Sequence, residues 1–99
     1  MAYDPYIVTV PGEEKNRLML YTLSTCIWCK KTKALLKQLG AGYRYVDVDL
    51  VGPEAKGEVL SDFRKYNPQQ SFPTIVVNGG KEVVIGFRED RIKEICGKK

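Results

Sequence analysis

The sequence predicts an α/β domain in which a four-stranded mixed sheet is flanked by three helices, in the order β-α-β-α-β-β-α. A short, nearly continuous apolar run at residues 18–23 is typical of a central strand covered on both faces. A helical pattern and a second strand-like segment follow it, and such a strand–helix–strand unit implies a parallel pair of strands. The turn signal Asn78-Gly79-Gly80 then separates two further strand-like segments, which indicates a hairpin.

The first helix is predicted to begin near Cys26, with Ser24 and Thr25 as residues able to cap its N-terminus. Gly40 and Gly42 are expected to end it. Between these limits apolar residues recur at helical spacing: Trp28, Leu35, Leu36 and Leu39. The segment 43–48 is rich in aromatic and β-branched residues, which predicts the second strand.

The second helix is predicted to start at Pro53, which suits the first helical turn, and to end at Asn67-Pro68. Gly57 lies inside this helix and costs it about 1 kcal/mol relative to alanine. The apolar face of the helix is formed by Ala55, Val59, Leu60 and Phe63.

The third and fourth strands are expected at 74–77 and 82–85, and Gly86 ends the fourth. Glu89 and Asp90 suit the start of the last helix, because negative charge is favoured at the positive end of the helix dipole. Its apolar stripe consists of Ile92, Ile95 and Cys96.

Residues 1–17 are predicted to be an N-terminal extension, and residues 18–99 the main domain. Within the extension, 6–10 has the composition of an added edge strand, and Pro11-Gly12 suits a turn after it. The charged stretch 13–17 is expected to be a surface connection.

The composition excludes several classes of protein. Three cysteines cannot all pair within one chain, which favours a reducing compartment over a secreted disulfide framework. No run is apolar enough to span a bilayer and no signal peptide is apparent, so we expect a cytoplasmic protein with no membrane partner. A monomer is also expected. The formal charge is a mild +4, and the lysine cluster lacks the pattern of a common RNA-binding motif, so no nucleic-acid partner is expected.

The motif Cys26-Ile27-Trp28-Cys29 carries the predicted chemistry. A thiolate, not a thiol, attacks a disulfide, and a helix N-terminus favours the anionic form of a sulfur placed there. Lys30 and Lys33 add positive potential within a turn. Cys29 is expected beneath Cys26 and nearer the core, so Cys26 is predicted to be the nucleophile and Cys29 the resolving thiol. The ring of Trp28 is expected to pack against a thiol-bearing ligand.

Two other roles of cysteine compete with redox chemistry. A CxxC pair is also half of a zinc site, but zinc needs four ligands and this chain has no histidine and only one further cysteine. No metal site is therefore predicted. Cys96, on the apolar stripe of the last helix, is expected to be a small buried filler rather than a redox thiol.

The segment Ser71-Phe72-Pro73-Thr74 places a proline just before an apolar strand. A trans bond that simply starts the strand is one interpretation, and base frequencies favour it, since only about 5% of X–Pro bonds in folded proteins are cis. The other interpretation is a cis bond that presents the backbone of Phe72 beside the cysteines, where an extended thiol substrate could pair with it.

The chain from about 18 to 96 resembles the glutaredoxin branch of the thioredoxin superfamily. The resemblance rests on the CxxC motif after the first strand, on Tyr45-Val46-Asp47-Val48-Asp49, on Ser71-Phe72-Pro73-Thr74 and on Gly86-Phe87-Arg88-Glu89-Asp90. It implies a thioredoxin fold, a nucleophilic Cys26, a resolving Cys29 and a cis Pro73.

Departures from the glutaredoxin pattern bear on the electron donor. Glutaredoxins usually carry Pro-Tyr between the cysteines, a basic residue three positions before the first, and a Gly-Gly turn followed by an acidic residue that holds glutathione. Here those places hold Ile27-Trp28, Leu23 and a single Gly86 followed by Phe87 and Arg88. The Gly-Phe-Arg pattern resembles the small redoxins that serve ribonucleotide reductase and draw electrons from thioredoxin reductase. Phe87 and Arg88 are expected to bind a small anionic thiol or a protein.

The leading hypothesis is a thiol–disulfide oxidoreductase without a tightly bound cofactor. It would reduce disulfides of proteins or small molecules, with glutathione, another small thiol or a thioredoxin-reductase-like donor as the source of electrons. The first alternative is an iron–sulfur carrier in which two chains share a [2Fe–2S] cluster, which soft thiolate ligands permit. The second is an adaptor in which the cysteines only pack.

Overall fold

The computed structural model describes residues 1–97 and has the α/β architecture that the sequence predicts. Its strands and helices, in chain order, are β1 (Val8–Val10), β2 (Leu18–Thr22), α1 (Ile27–Gln38), β3 (Tyr43–Asp47), α2 (Pro53–Tyr66), β4 (Thr74–Val77), β5 (Glu82–Ile85) and α3 (Glu89–Ile95). Short 3₁₀ segments occur at Asp4–Tyr6, Val48–Leu50 and Asn78–Gly80. Within the described residues every helix is too short or too polar to cross a bilayer.

The sheet has the strand order β1-β3-β2-β4-β5. β2 and β3 are parallel, as the strand–helix–strand pattern predicted, and the other neighbouring pairs are antiparallel. β1 comes from the predicted extension and pairs with β3, with Val8 opposite Tyr45 and Val10 opposite Tyr43. Within residues 1–97 the sheet therefore has five strands, and the additional one is β1, the edge strand that the sequence allowed.

A hydrophobic core lies on each face of the sheet, because side chains of β2 point alternately to the two sides. Leu18 and Leu20 pack with α1 and α3, and Cys96 is buried on this face. Tyr21 packs on the other face against α2, together with Tyr3 from the N-terminal arm. Because α1 directly follows β2, this arrangement places the cysteine motif at the carboxyl end of a central strand.

Gly57 is the weakest position of α2, as the sequence indicated. A Cβ atom at Gly57 would meet no atom within 4 Å, and the residue is exposed in the middle of the helix. We expect Gly57→Ala to raise the free energy of unfolding by about 1 kcal/mol, through helix propensity and lower entropy of the unfolded chain. Urea denaturation of the two proteins measures this change. A loss of stability would contradict it, because that would require a clash where the structure has open space.

Candidate active site

Cys26 is the N-cap residue of α1, and its Sγ accepts a hydrogen bond from the backbone N–H of Cys29 at 3.3 Å. The expectation that Ser24 or Thr25 caps this helix is therefore wrong. The helix begins at Ile27, so the N-cap position falls on Cys26, and Ser24 donates its backbone N–H and its hydroxyl to Asp49 instead. The first turn of the helix thus directs an N–H at the sulfur of Cys26.

The two thiols of the motif differ in accessibility. Both are free, but Cys26 is only partly buried whereas Cys29 is 0% exposed. Burial raises the pKa of Cys29 to about 12, and a hydrogen bond with Cys26 adds to this effect. Cys26 is therefore the sulfur that a substrate can reach, and Cys29 stands behind it as a protonated thiol.

This raised pKa predicts a loss of stability in alkaline solution. An unfolded cysteine loses its proton near pH 8.5, whereas native Cys29 keeps it to about pH 12. The stability that Cys29 contributes is thus complete below about pH 8.5 and is lost as the pH rises toward 12, by at most about 1.4 kcal/mol per pH unit. In urea unfolding between pH 8 and 10.5, under reductant, Cys29→Ser should show a shallower decline than the parent protein. Equal slopes would contradict the assignment.

An aromatic pocket of about 280 Å³ lies beside the motif, lined by Trp28, Phe72, Gly86 and Phe87. The rings of Trp28 and Phe87 stack with centroids 5.8 Å apart, and the Lys31 ammonium lies 4.5 Å from the centroid of the Trp28 ring. Phe72 stacks in turn on Phe63 of α2, at 4.7 Å. Three residues expected to bind a thiol ligand therefore meet in one place.

The helical spacing of Trp28 with the leucines of α1 was misleading. Leu35 and Leu36 are buried in the core, but Trp28 is 50% exposed. It lies in the first turn of α1, and its ring stacks on that of Phe87. Trp28 therefore belongs to the aromatic pocket rather than to the core stripe.

The peptide bond between Phe72 and Pro73 is cis, so the interpretation as a trans strand starter is wrong. Pro73 is buried, and its carbonyl accepts a hydrogen bond from the N–H of Gly86 at 2.9 Å. Gly86 has a φ of +86°, a conformation that favours glycine. This bond holds the loop of Phe87 next to the proline loop, while Arg88 is exposed at the N-cap of α3.

The two lysines expected to act on Cys26 occupy different environments. Lys30 is exposed, whereas Lys33 is partly buried, with its Nζ 3.1 Å from Asp47 Oδ1 and 3.8 Å from the centroid of the Tyr45 ring. Asp47 also accepts a hydrogen bond from the buried Thr22 hydroxyl at 2.7 Å. The positive charge of Lys33 lowers the pKa of Cys29, although burial outweighs it.

Comparison with known proteins decides the family. Residues 18–82 match the family model of glutaredoxin. The chain belongs to the glutaredoxin family. A curated relative, an uncharacterized glutaredoxin-like 8.6 kDa protein in the rubredoxin operon of Clostridium pasteurianum, is 30% identical over 82% of this chain and 99% of its own length.

Solved structures agree with this assignment. Methanoredoxin of Methanosarcina acetivorans is 41% identical, with a TM-score of 0.80 over 87% of this chain and 90% of that one. A glutaredoxin from Methanosarcina mazei Go1 is 38% identical, with a TM-score of 0.82 over 93% and 88%. The glutaredoxin-like NrdH-redoxin of Escherichia coli is 25% identical, with a TM-score of 0.64 over 80% and 93%. The predicted thioredoxin fold and glutaredoxin resemblance are thereby confirmed.

Membership of this family implies thiol–disulfide oxidoreductase activity in general. The individual roles of the site residues, the small thiol, the [2Fe–2S] alternative, the cytoplasmic location and the partners stay predictions. Sequence reasoning missed two contacts in the site, the Lys31 ammonium over Trp28 and the Asp47 carboxylate that binds Lys33. A lysine three residues after an aromatic side chain on a helix is a signal that could have indicated the first.

Proposed function

We propose that this chain is a dithiol oxidoreductase that reduces protein and small-molecule disulfides, with Cys26 as nucleophile and Cys29 as resolving thiol. The observation that carries the proposal is the contrast between the two sulfurs. Cys26 is partly exposed and accepts a hydrogen bond from the helix N-terminus, whereas Cys29 is fully buried beneath it. The thiolate is the attacking species in thiol–disulfide exchange, so the attacking sulfur must be one that a substrate can reach.

The proposed cycle transfers one electron pair. The thiolate of Cys26 attacks one sulfur of the substrate disulfide, which forms a mixed disulfide and releases the other sulfur as a thiolate. Cys29 then loses its proton and attacks the Sγ of Cys26, which forms the Cys26–Cys29 disulfide and releases the second substrate thiolate. The substrate is reduced by two electrons and the protein is oxidised by two. An external dithiol or two small thiols restore the starting state.

The second step needs a thiolate at Cys29, and Lys33 is placed to favour it. Lys33 lies one helical turn after Cys29 on α1, and Asp47 fixes its ammonium at 3.1 Å. The positive charge opposes the effect of burial on the pKa of Cys29. Asp47 of β3 holds the ammonium of Lys33, and burial dominates the pKa of Cys29, on which the charge of Lys33 has the smallest effect.

The surface around Cys26 is suited to a protein substrate. Ile27 is 62% exposed and Trp28 is 50% exposed, so apolar side chains border the reactive sulfur. Aromatic side chains that are accessible and already packed against a neighbour are typical anchors of protein interfaces. A basic side chain that could meet a glutathione carboxylate is replaced by Leu23, which packs against the core on the α2 face.

The donor is proposed to be either a small thiol or a thioredoxin-reductase-like protein. The NrdH-redoxin of Escherichia coli has a thioredoxin-like activity profile, and the likeness of this chain to it supports a reductase as donor here. The deciding experiment offers the oxidised protein glutathione, 2-mercaptoethanol, or thioredoxin reductase with NADPH, and counts reduced Cys26 and Cys29 by alkylation and mass spectrometry. The proposal expects two thiols to appear with at least one donor. Absence of reduction by all three would contradict it.

We expect Trp28→Ala to impair the reduction of a protein disulfide more than that of a small one. The substitution removes the stack on Phe87 and an exposed aromatic anchor for the substrate. We therefore expect kcat/KM toward insulin to fall roughly tenfold. Activity toward 2-hydroxyethyl disulfide should change less than about threefold, because that substrate reaches little beyond the sulfur. Val8→Ala, on the distant strand β1, is the matched control. Equal losses for both substrates would contradict a protein-docking role.

A further inference from the structure

A cleft of about 640 Å³ opens on the α2 face of the sheet, away from the cysteines. Leu18, at the amino end of β2, and Gly79 belong to its lining. Cys26 follows the carboxyl end of the same strand. None of the residues of the aromatic pocket lines it. Its volume is within the range of about 300–1,000 Å³ that is typical of small-molecule sites. The proposed redox function gives this cleft no role.

The floor and one wall of the cleft are apolar or aromatic. Met19 and Val76 form the floor, from neighbouring strands β2 and β4. Tyr66 of α2 forms a wall, with its ring centroid 6.3 Å from that of Tyr21. Met19 and Tyr66 are partly exposed, so a ligand could pack on them.

The acidic groups of the cleft are already engaged. Asp62 accepts a hydrogen bond from the Tyr3 hydroxyl at 2.7 Å, and Lys65 lies 3.8 Å from it. Glu58 accepts the backbone N–H of Ala2 at 3.0 Å. The basic side chains that line the cleft, Arg17, Arg44 and Lys65, outnumber the acidic ones, Asp62 and Glu58, so the cleft favours an anion over a cation.

Two guanidinium groups of the cleft, those of Arg17 and Arg44, have no such partner. Among residues 1–97 neither side chain makes a hydrogen bond or an ion pair, and both are exposed. A guanidinium presents several N–H donors in a plane, which suits carboxylate and phosphate oxygens. Two of them at the rim of one apolar cleft favour an anion that also has an apolar part.

We propose that this cleft binds a small organic anion. A carboxylate or phosphate of the ligand is held by Arg17 and Arg44, and a ring or short apolar chain packs on Met19 and Tyr66. The site is separate from the thiol chemistry and needs neither cysteine.

The test titrates isotope-labelled protein with phenyl phosphate and follows backbone amide signals by NMR. We expect saturable shifts at Met19, Arg44 and Tyr66. Benzyl alcohol, which has the ring without the charge, and inorganic phosphate, which has the charge without the ring, should each bind at least about tenfold more weakly. No saturable shift with phenyl phosphate, or equal affinity for inorganic phosphate, would overturn the proposal.

Arginine variants assign the binding to the cleft. Arg17→Ala and Arg44→Ala should each weaken the Kd for phenyl phosphate about tenfold, since a hydrogen bond to a charged group is worth roughly that factor. Arg64→Ala is the control, because Arg64 is exposed on α2 but lies outside the cleft. Disulfide reductase activity should be unchanged in all three variants. A failure of the anion-binding proposal can therefore be distinguished from a failure of the redox proposal. Variants that bind as tightly as the parent would overturn the assignment.

Discussion

Replacement of Cys26 by serine is expected to abolish disulfide reductase activity, with a fall in kcat/KM of about a thousandfold or more. Serine keeps the size of the side chain and is itself a favourable N-cap residue, so the variant should fold with nearly unchanged stability. The loss would then report the missing sulfur nucleophile and not a damaged helix. Turnover of insulin disulfides with a coupled reductase measures the activity, and urea unfolding measures the stability.

Cys29→Ser is the matched variant, because it removes the second sulfur and leaves the first. It should still form a mixed disulfide at Cys26, which mass spectrometry detects as an adduct of one substrate half. That adduct should persist, since no resolving thiol remains to release it. If the Cys26→Ser variant retained turnover, or formed a stable adduct on Cys29, the roles of Cys26 as nucleophile and Cys29 as resolving thiol would be contradicted.

Replacement of Tyr3 by alanine is expected to cause the largest loss of stability among the substitutions considered, about 3–5 kcal/mol in the free energy of unfolding. Tyr3 is 0% exposed, although it belongs to the N-terminal arm outside the strands and helices of the domain. Its ring packs in the core on the α2 face, and its hydroxyl binds Tyr21 at 3.1 Å and Asp62 at 2.7 Å. Truncation to alanine both leaves a cavity and removes the hydrogen bonds that Tyr21 and Asp62 make with the Tyr3 hydroxyl.

Two further variants separate these contributions. Tyr3→Phe keeps the ring and removes only the hydroxyl, so we expect a loss of about 1–2 kcal/mol. Val8→Ala, in the same N-terminal arm but 43% exposed, should change stability by less than about 1 kcal/mol. Urea denaturation compares all of them. A loss below about 1 kcal/mol for Tyr3→Ala would contradict the place of this arm in the core.

The sequence predicted the elements of the fold well because their signals are local. Pro53 suits the first turn of α2 and Pro68 disfavours the helical conformation of Asn67 before it, while the glycines after Asn78 mark the turn of the hairpin. The cap of α1 was predicted wrongly because Ser24 has a competing acceptor, Asp49, which is distant in sequence. Residue preferences for helix caps depend only on neighbouring residues, so they could not predict the contact between Ser24 and Asp49.

The candidate site divides in the same way. The CxxC motif and the proline before β4 could be located from residue types and spacing, and family resemblance supplied the cis bond. The place of Trp28 could not be derived, because a helical spacing fits both a core stripe and a side chain stacked on Phe87. The environment of Lys33 depends on Asp47, a residue of another element.

By itself the sequence predicted the order of strands and helices, the two sulfurs proposed to exchange electrons, and the family. The tertiary structure decided which sulfur is reachable, which aromatic rings border it, that Tyr3 completes the core, and that two arginines among the described residues remain without acidic partners in one cleft. The physical reason is that backbone preferences act between near neighbours in the chain. Burial and charge pairing are instead set by residues that only the fold brings together.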